Sequence, residues 1–135
     1  MKGQAALFSA QTVHWPTPEA LLDELRVEFG DLEDPAPLGG TKAFFEPWGG
    51  GAVFVNPPYG RNTARWLQKA RGEVRLGRAK LVIMLLPART DTAWFHDEVL
   101  PFAHDVRFIR KRLKFGGSKI NAPFPSMLVI YKADG

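Results

Sequence analysis

The feature that most constrains this chain is a short apolar segment that ends at two adjacent prolines. Ala52 to Val55 is apolar throughout, and residues 56–59 are Asn-Pro-Pro-Tyr. Such an apolar run predicts a buried strand. Each proline fixes its own φ angle, lacks an N–H and holds the preceding residue in an extended conformation. The strand is therefore expected to end in a stiff turn that begins at Asn56 and directs the Tyr59 ring outward.

Helical and strand patterns alternate along the chain. Apolar residues at helical spacing predict a helix that Thr17 caps, that has Pro18 in its first turn and that ends at Gly30. Further helices are predicted at 62–76 and, more briefly, at 91–98. Strands are predicted around Leu32 and at Ala52–Val55, Leu81–Leu86, Val106–Ile109 and Met127–Tyr131, with a possible short strand at Lys42–Phe45.

This order of elements predicts the α/β class. We expect a single compact Rossmann-like domain over residues 1–135, with a mainly parallel sheet and a C-terminal antiparallel hairpin. Residues 1–14 are expected to form a flexible arm. A length of 135 residues suits one domain and leaves no separate target-recognition domain, so sequence specificity is expected from loops or from a second subunit in a homodimer, or is expected to be slight.

Composition limits the class of protein. The chain is 45% hydrophobic and 24% charged, as in ordinary soluble domains. No apolar run approaches the roughly 18 residues of a membrane span, so no membrane partner is expected. The absence of cysteine excludes disulfides and thiolate metal sites, and the three histidines lack ligand spacing, so no metal is expected.

The net charge of +4 favours a polyanionic partner such as nucleic acid, although unrelated small proteins are equally basic. Arg61 and Arg65 lie one helical turn apart beside the proline turn and are candidates for phosphate contact. A strand that continued past residue 109 would put Arg110, Arg112 and Lys114 on one face, which would also suit phosphates. The alternative is a solvated polar strand face.

The turn at 56–59 suits an exocyclic amine. Ligands of α/β sheets bind at the carboxyl ends of the strands, where this turn, Asp34-Pro35 and residues 87–91 are all predicted to lie. An amide oxygen and a backbone carbonyl accept the two N–H groups of an amine, and a flat ring stacks on the attached base. A neutral amide suits attack on a positively charged sulfonium methyl donor, because positioning replaces a strong base. The alternative is a proline-rich turn around a buried tyrosine.

Several motifs accompany Asn-Pro-Pro-Tyr in order along the chain. They are Trp15-Pro16-Thr17-Pro18, Asp34-Pro35, Val55-Asn56-Pro57-Pro58-Tyr59, Trp66 with Lys69-Ala70, Leu86-Pro87-Ala88-Arg89-Thr90-Asp91-Thr92 followed by Trp94-Phe95, and Arg112-Leu113 with Phe115. From about residue 15 to residue 131 the chain thus resembles the phage-type DNA N6-adenine methyltransferases, which use S-adenosylmethionine.

The resemblance implies a role for each matched position. Catalysis falls to the motif Asn56, Pro57, Pro58 and Tyr59, in which Asn56 and the Pro57 carbonyl hold the adenine amine and Tyr59 stacks on the flipped base. The implied cofactor-binding residues are Trp15, Thr17 and Pro18 at the methionine end, Asp34 at an amino or hydroxyl group, and Asn56.

The resemblance also implies DNA as the partner and a phage or prophage gene that acts in a bacterial cytoplasm. Two alternatives stay open. One is the same chemistry on cytosine N4 or on RNA, because the acceptors bind an amine rather than a whole base. The other is a catalytically silent nucleic-acid-binding module that keeps the fold and the basic faces.

Overall fold

The computed structural model of the chain describes residues 12–13, 15–37, 41–115 and 121–133. The regular elements, in chain order, are β1 (Thr12–Val13), α1 (Glu19–Phe29), a 3₁₀ helix (Thr41–Phe45), β2 (Ala52–Val55), β3 (Tyr59–Gly60), α2 (Thr63–Arg75), β4 (Leu81–Pro87), a π-helical turn (Phe95–Val99), β5 (Asp105–Phe108) and β6 (Ser126–Lys132). Among these residues, no helix has the length and apolar character to cross a membrane.

The central sheet has four strands in the order β2-β4-β6-β5. β2 and β4 are parallel, whereas β4 with β6 and β5 with β6 are antiparallel. A single parallel bridge joins Glu33 to Val53 on the other side of β2. The α/β class and the C-terminal hairpin are confirmed, but a parallel majority is not observed in the described part of the chain. The C-terminal hairpin explains this difference. Its second strand, β6, pairs antiparallel with β4 and takes the position of a further parallel strand, which would have needed a crossover connection.

Four local predictions differ from the structure. The possible strand at Lys42–Phe45 is a 3₁₀ helix, and the strand near Leu32 is only the bridge at Glu33. Residues 12 and 13, which were assigned to a flexible arm, pair with β3; residues 1–11 and 14 lie outside the described residues. The first hairpin strand ends at Phe108, and Lys111 has a φ of 65°. A left-handed residue ends an extended backbone, so Arg112 and Lys114 do not share a strand face.

The core lies on both faces of β4. Residues 82–86 are fully buried, as expected for a central strand whose apolar run is unbroken. α2 contacts β4 and β6, and it buries Trp66, Leu67 and Ala70. This packing fixes the start of α2, and therefore the turn that precedes it, relative to the carboxyl end of β4.

A buried carboxylate ties the segment before β2 to α2. Glu73 has no exposed surface, and its Oε1 accepts the main-chain N–H of Trp48 at 2.7 Å. Its Oε2 accepts hydrogen bonds from Lys69 at 3.2 Å and from the Arg78 Nη2 at 2.6 Å. Burial alone would raise the pKa of Glu73, but the hydrogen bonds from Arg78, Trp48 and Lys69 outweigh it and lower the pKa below the ordinary value of 4.5.

We expect Glu73→Ala to lower the free energy of unfolding by about 3 kcal/mol, because the Trp48 N–H loses its acceptor and two cations lose their counter-charge. Glu73→Gln retains an acceptor oxygen and should cost less. Urea unfolding measures both. The matched control is Glu19→Gln, which removes an exposed pair with Arg26 and should change stability by less than about 0.5 kcal/mol.

The lowered pKa makes this contribution depend on pH. The charged carboxylate contributes fully above the ordinary pKa of 4.5, and its contribution is lost as the pH falls through the lower folded-state pKa. The stability difference between the wild type and Glu73→Gln should therefore shrink in acid below that value. A difference that stays constant through this range would contradict the network.

Candidate functional site

A cleft of about 370 Å³ opens at the carboxyl ends of β2 and β4. Because these strands are parallel, the turn after β2 and the end of β4 meet at the same edge of the sheet. The amino end of the antiparallel strand β6 reaches this edge too, where Pro87 pairs with Ser126. The described residues that line the cleft are Trp15, Tyr59, Gly60, Thr63, Pro87, Arg89, Thr92, Trp94, Pro123 and Phe124.

Asn56 is held in a single orientation. Its side chain is 2% exposed, and Nδ2 donates to the main-chain carbonyl of Trp15 and, at 3.0 Å, to the Thr17 hydroxyl. A carbonyl oxygen only accepts hydrogen bonds, so the nitrogen end of the amide must face Trp15. Oδ1 is buried and accepts no hydrogen bond within the described part of the chain. Such an acceptor is uncommon and costs about 1–3 kcal/mol, so it indicates a position for a missing donor.

Thr17 takes a different role from the predicted helix cap. α1 begins at Glu19, its N-cap residue is Pro18, and no side chain caps it. The hydroxyl of Thr17 contacts Asn56 instead. The local capping prediction was wrong because a partner 39 residues away in sequence binds the same oxygen.

Tyr59 lies in the wall of the cleft with its hydroxyl directed inward. Only 9% of the residue is exposed, so the predicted outward direction is wrong. The hydroxyl donates to the Leu85 carbonyl at 3.2 Å, and burial raises the pKa of the phenol above its ordinary value. The phenol therefore stays neutral, and the ring surface is what this residue offers to the cleft.

Aromatic side chains surround Tyr59. The rings of Phe115 and Phe124 lie edge-on to it, with centroid distances of 6.4 and 5.4 Å. Trp15 contacts the same two phenylalanines at 5.4 and 5.7 Å. The segment before α1 and the segment before β6 thus pack on the turn after β2. Phe124 is buried and lines the cleft.

The predicted cofactor residues divide into two groups. Trp15 and Thr17 meet at Asn56, and Pro18 follows them directly. Asp34 lies in a second, smaller cleft of about 200 Å³, which Glu33, Pro35, Gly49 and others also line. Its Oδ1 accepts the Ala36 N–H at 2.9 Å. Pro57 and Pro58 are buried, and acceptance of an amine by the Pro57 carbonyl stays a prediction.

The predicted phosphate contacts occupy different surroundings. Arg61 is exposed and follows the cleft residue Gly60, whereas the Arg65 guanidinium lies 4.5 Å from the Phe44 ring centroid. Arg112 Nη1 donates weakly to the Ala122 carbonyl at 3.5 Å, and Lys114 is exposed. Within the described ranges, no group of three acidic or histidine side chains is arranged to hold a metal ion.

The sequence interpretation assigned no role to Glu33, Thr63 or Trp94, although all three line one of the two clefts. Their positions carried a signal. Glu33 immediately precedes Asp34, Thr63 follows the proline turn by four residues, and Trp94 follows the segment at the end of β4. Residues that follow the carboxyl ends of strands lie at the same edge of the sheet. The rule that placed the proline turn at this edge therefore also predicts that these three residues lie near the site.

The family model described as DNA N-6-adenine-methyltransferase (Dam) matches residues 39–133. This range contains the proline turn, α2 and the rest of the described cleft lining except Trp15. No curated protein and no solved structure matches the chain. With most of its length covered by the family model, the chain belongs to the Dam family of DNA N6-adenine methyltransferases.

Proposed function

We propose that this chain transfers a methyl group from S-adenosylmethionine to the N6 amine of adenine in DNA. The family supports adenine methylation of DNA in general. The observation that carries the proposal is the buried Asn56 Oδ1, which has no hydrogen-bond donor among the described residues although the amide nitrogen beside it has two acceptors. An aromatic amine provides the missing donor.

Asn56 acts as the acceptor for one N–H of the target amine. Acceptance at a fixed oxygen orients the nitrogen lone pair for in-line attack on the methyl carbon. The target amine is neutral and attacks with its lone pair, so it does not need to be deprotonated beforehand. As the new N–C bond forms, the S–C bond of the donor would break, and the extra proton on the nitrogen would then pass to solvent. When bound, the cofactor supplies a methyl group activated by a positively charged sulfur.

Tyr59 is proposed to stack on the target base. Its hydroxyl bond to Leu85 prevents rotation of the ring out of the cleft wall, so the stacking surface is preorganised. The neutral phenol is not proposed to act as a base. A volume of about 370 Å³ falls within the range of small-ligand sites, which suits an adenine that has rotated out of the DNA stack.

The residues around Asn56 also fit the cofactor. The Trp15 carbonyl and the Thr17 hydroxyl already bind Asn56, so their contribution at the methionine end is to shape the site. The carboxylates of Glu33 and Asp34 line the second cleft and suit hydroxyl or ammonium groups. We also propose that the fold is Rossmann-like. The parallel pair of β2 and β4, with the proline turn at its carboxyl end, supports this interpretation.

Calorimetry with S-adenosylhomocysteine separates an enzyme from a silent binding module, because only the enzyme requires a cofactor site. Methylated-base analysis of DNA from cells that express the protein then separates adenine N6 from cytosine N4. Asn56 binds an amine and does not itself distinguish the two bases. Heat of binding together with N6-methyladenine would support the proposal, and 4-methylcytosine alone would contradict it.

Asn56→Ala should lower kcat for methyl incorporation into DNA by at least about 100-fold, as expected when a preorganised polar group at the reacting centre is lost. S-adenosylhomocysteine affinity and the urea midpoint serve as controls for cofactor binding and folding. Wild-type turnover by a folded variant would remove the amide from the mechanism.

Thr17→Val should lower kcat about tenfold, which corresponds to loss of one hydrogen bond of about 1.4 kcal/mol that orients Asn56. Thr17→Ser retains the hydroxyl and is the matched control. Steady-state kinetics distinguishes the two roles proposed for Thr17, which are to orient Asn56 and to contact the methionine end of the cofactor. A raised KM for the cofactor with unchanged kcat would show a cofactor contact only.

Tyr59→Phe keeps the ring and should keep turnover within about threefold, whereas Tyr59→Ala should lose about 10- to 100-fold. Stacking of one base on an aromatic ring contributes about 1–3 kcal/mol. S-adenosylhomocysteine affinity should change less than the rate in the alanine variant. Equal losses in rate and in cofactor affinity would argue against stacking.

A further inference from the structure

The cleft at the proline turn has one charged residue among its described lining residues, and that residue is Arg89. The others are aromatic, proline, glycine or hydroxyl side chains. Arg89 is exposed, so it lies at the mouth of the cleft, whereas the buried Asn56 is not among the described lining residues and is connected to them through its hydrogen bond to the Trp15 carbonyl. The cleft therefore combines an apolar interior with a positive rim.

Hydrogen bonds restrain the backbone at Arg89 and at the next residue. The N–H of Arg89 donates to the Pro87 carbonyl at 2.8 Å, and its carbonyl accepts the Thr92 hydroxyl at 2.8 Å. The Nε2 atom of His96 lies 2.8 Å from the Thr90 carbonyl oxygen, which restrains the next residue. Short segments tied in this way present a side chain from a fixed origin.

The guanidinium group of Arg89 has an aromatic neighbour but no carboxylate in the described part of the chain. Its central carbon lies 5.9 Å from the Phe124 ring centroid. Arg71, Arg78 and Arg107, by contrast, each form an ion pair with a glutamate. An arginine that packs on a ring keeps its planar N–H donors available for a bidentate contact to an oxyanion.

We propose that Arg89 binds a phosphodiester flanking the nucleotide whose base occupies the cleft. The inference rests on the proposed function. A base that reaches Asn56 leaves its sugar and phosphates at the rim, where the only cation of the described lining lies. The contact makes Arg89 a positioning residue, because it fixes the backbone of the extruded nucleotide while Asn56 and Tyr59 bind the base.

The carboxylate of the cofactor is also an oxyanion that an arginine could bind. The experiment therefore distinguishes a contact of Arg89 to the phosphodiester from a contact to the cofactor carboxylate. Binding is measured by fluorescence anisotropy of a short single-stranded oligothymidylate with one central deoxyadenosine, in saturating S-adenosylhomocysteine. A second strand carries neutral methylphosphonates on both sides of the deoxyadenosine. The affinity of each variant for S-adenosylhomocysteine is measured separately by calorimetry.

The wild type should bind the neutralised strand about fivefold more weakly, and Arg89→Gln should bind the unmodified strand about fivefold more weakly. The two changes should not add, because they remove the same contact. Arg89→Gln should also lower the slope of log affinity against log salt by about 0.7, the value for one phosphate on a single strand. Cofactor affinity should be unchanged.

Arg75→Gln is the matched control, because Arg75 is exposed twelve residues beyond Thr63 on α2, about 18 Å along the helix. It removes the same charge and should leave the methylphosphonate effect intact. A full methylphosphonate effect in Arg89→Gln, or none in the wild type, would overturn the inference. So would a large loss of cofactor affinity in Arg89→Gln. If the phosphate result holds but no methyl is transferred, the proposed function fails and the contact stands.

Discussion

The site depends on two hydrogen bonds donated by one amide nitrogen. Asn56 follows β2, while its acceptors, the Trp15 carbonyl and the Thr17 hydroxyl, precede α1. These bonds attach the segment before α1 to the end of the sheet, and the aromatic contacts of Trp15 with Phe115 and Phe124 add to the attachment. The same interaction leaves Oδ1 buried, with no donor from the part of the chain that the structure describes. Structure and proposed chemistry thus share one cause.

The turn that carries Asn56 is fixed by the elements on either side of it. β2 pairs in parallel with β4, and α2 packs on β4 and β6 directly after the turn. Glu73 then connects the loop before β2 to the end of α2 through Trp48 and Arg78. A rigid backbone lets a neutral side chain orient a substrate without reorganisation, which is the condition for electrostatic catalysis.

The parts of the fold that local sequence determines were predictable. The unbroken apolar run of β4 and the helical spacing in α2 identified both elements within one or two residues, because burial and period act locally. The mixed sheet was not predictable in this way. Whether β6 or a crossover strand lies beside β4 depends on pairing between segments that are far apart in the sequence. The local pattern of one segment does not determine its partner. Lys42–Phe45 was ambiguous for a related reason, since a short apolar run suits a strand and a 3₁₀ helix equally.

The site shows the same division. The residue types and their placement at strand ends indicated an amine-binding turn, which stays a prediction. Tyr59 lines the cleft, and Asn56 is buried and bonded to the carbonyl of Trp15, another lining residue. The direction of the Tyr59 ring and the partner of the Thr17 hydroxyl were missed, because each depends on atoms 26 or 39 residues away in sequence. Local rules supply a helix cap for Thr17 and an exposed ring for Tyr59, and tertiary contacts override both.

The carbonyl of Trp15 determines whether Asn56 presents a hydrogen-bond acceptor or a hydrogen-bond donor to a ligand. An asparagine side chain has nearly the same shape after half a rotation about its last bond. That rotation would turn its hydrogens toward the proposed target amine, which also carries hydrogens, and the two groups would repel each other. The carbonyl forbids that rotation because two oxygens would then face each other. Under the proposed function, a main-chain atom some forty positions upstream therefore determines whether Asn56 attracts the target amine or repels it.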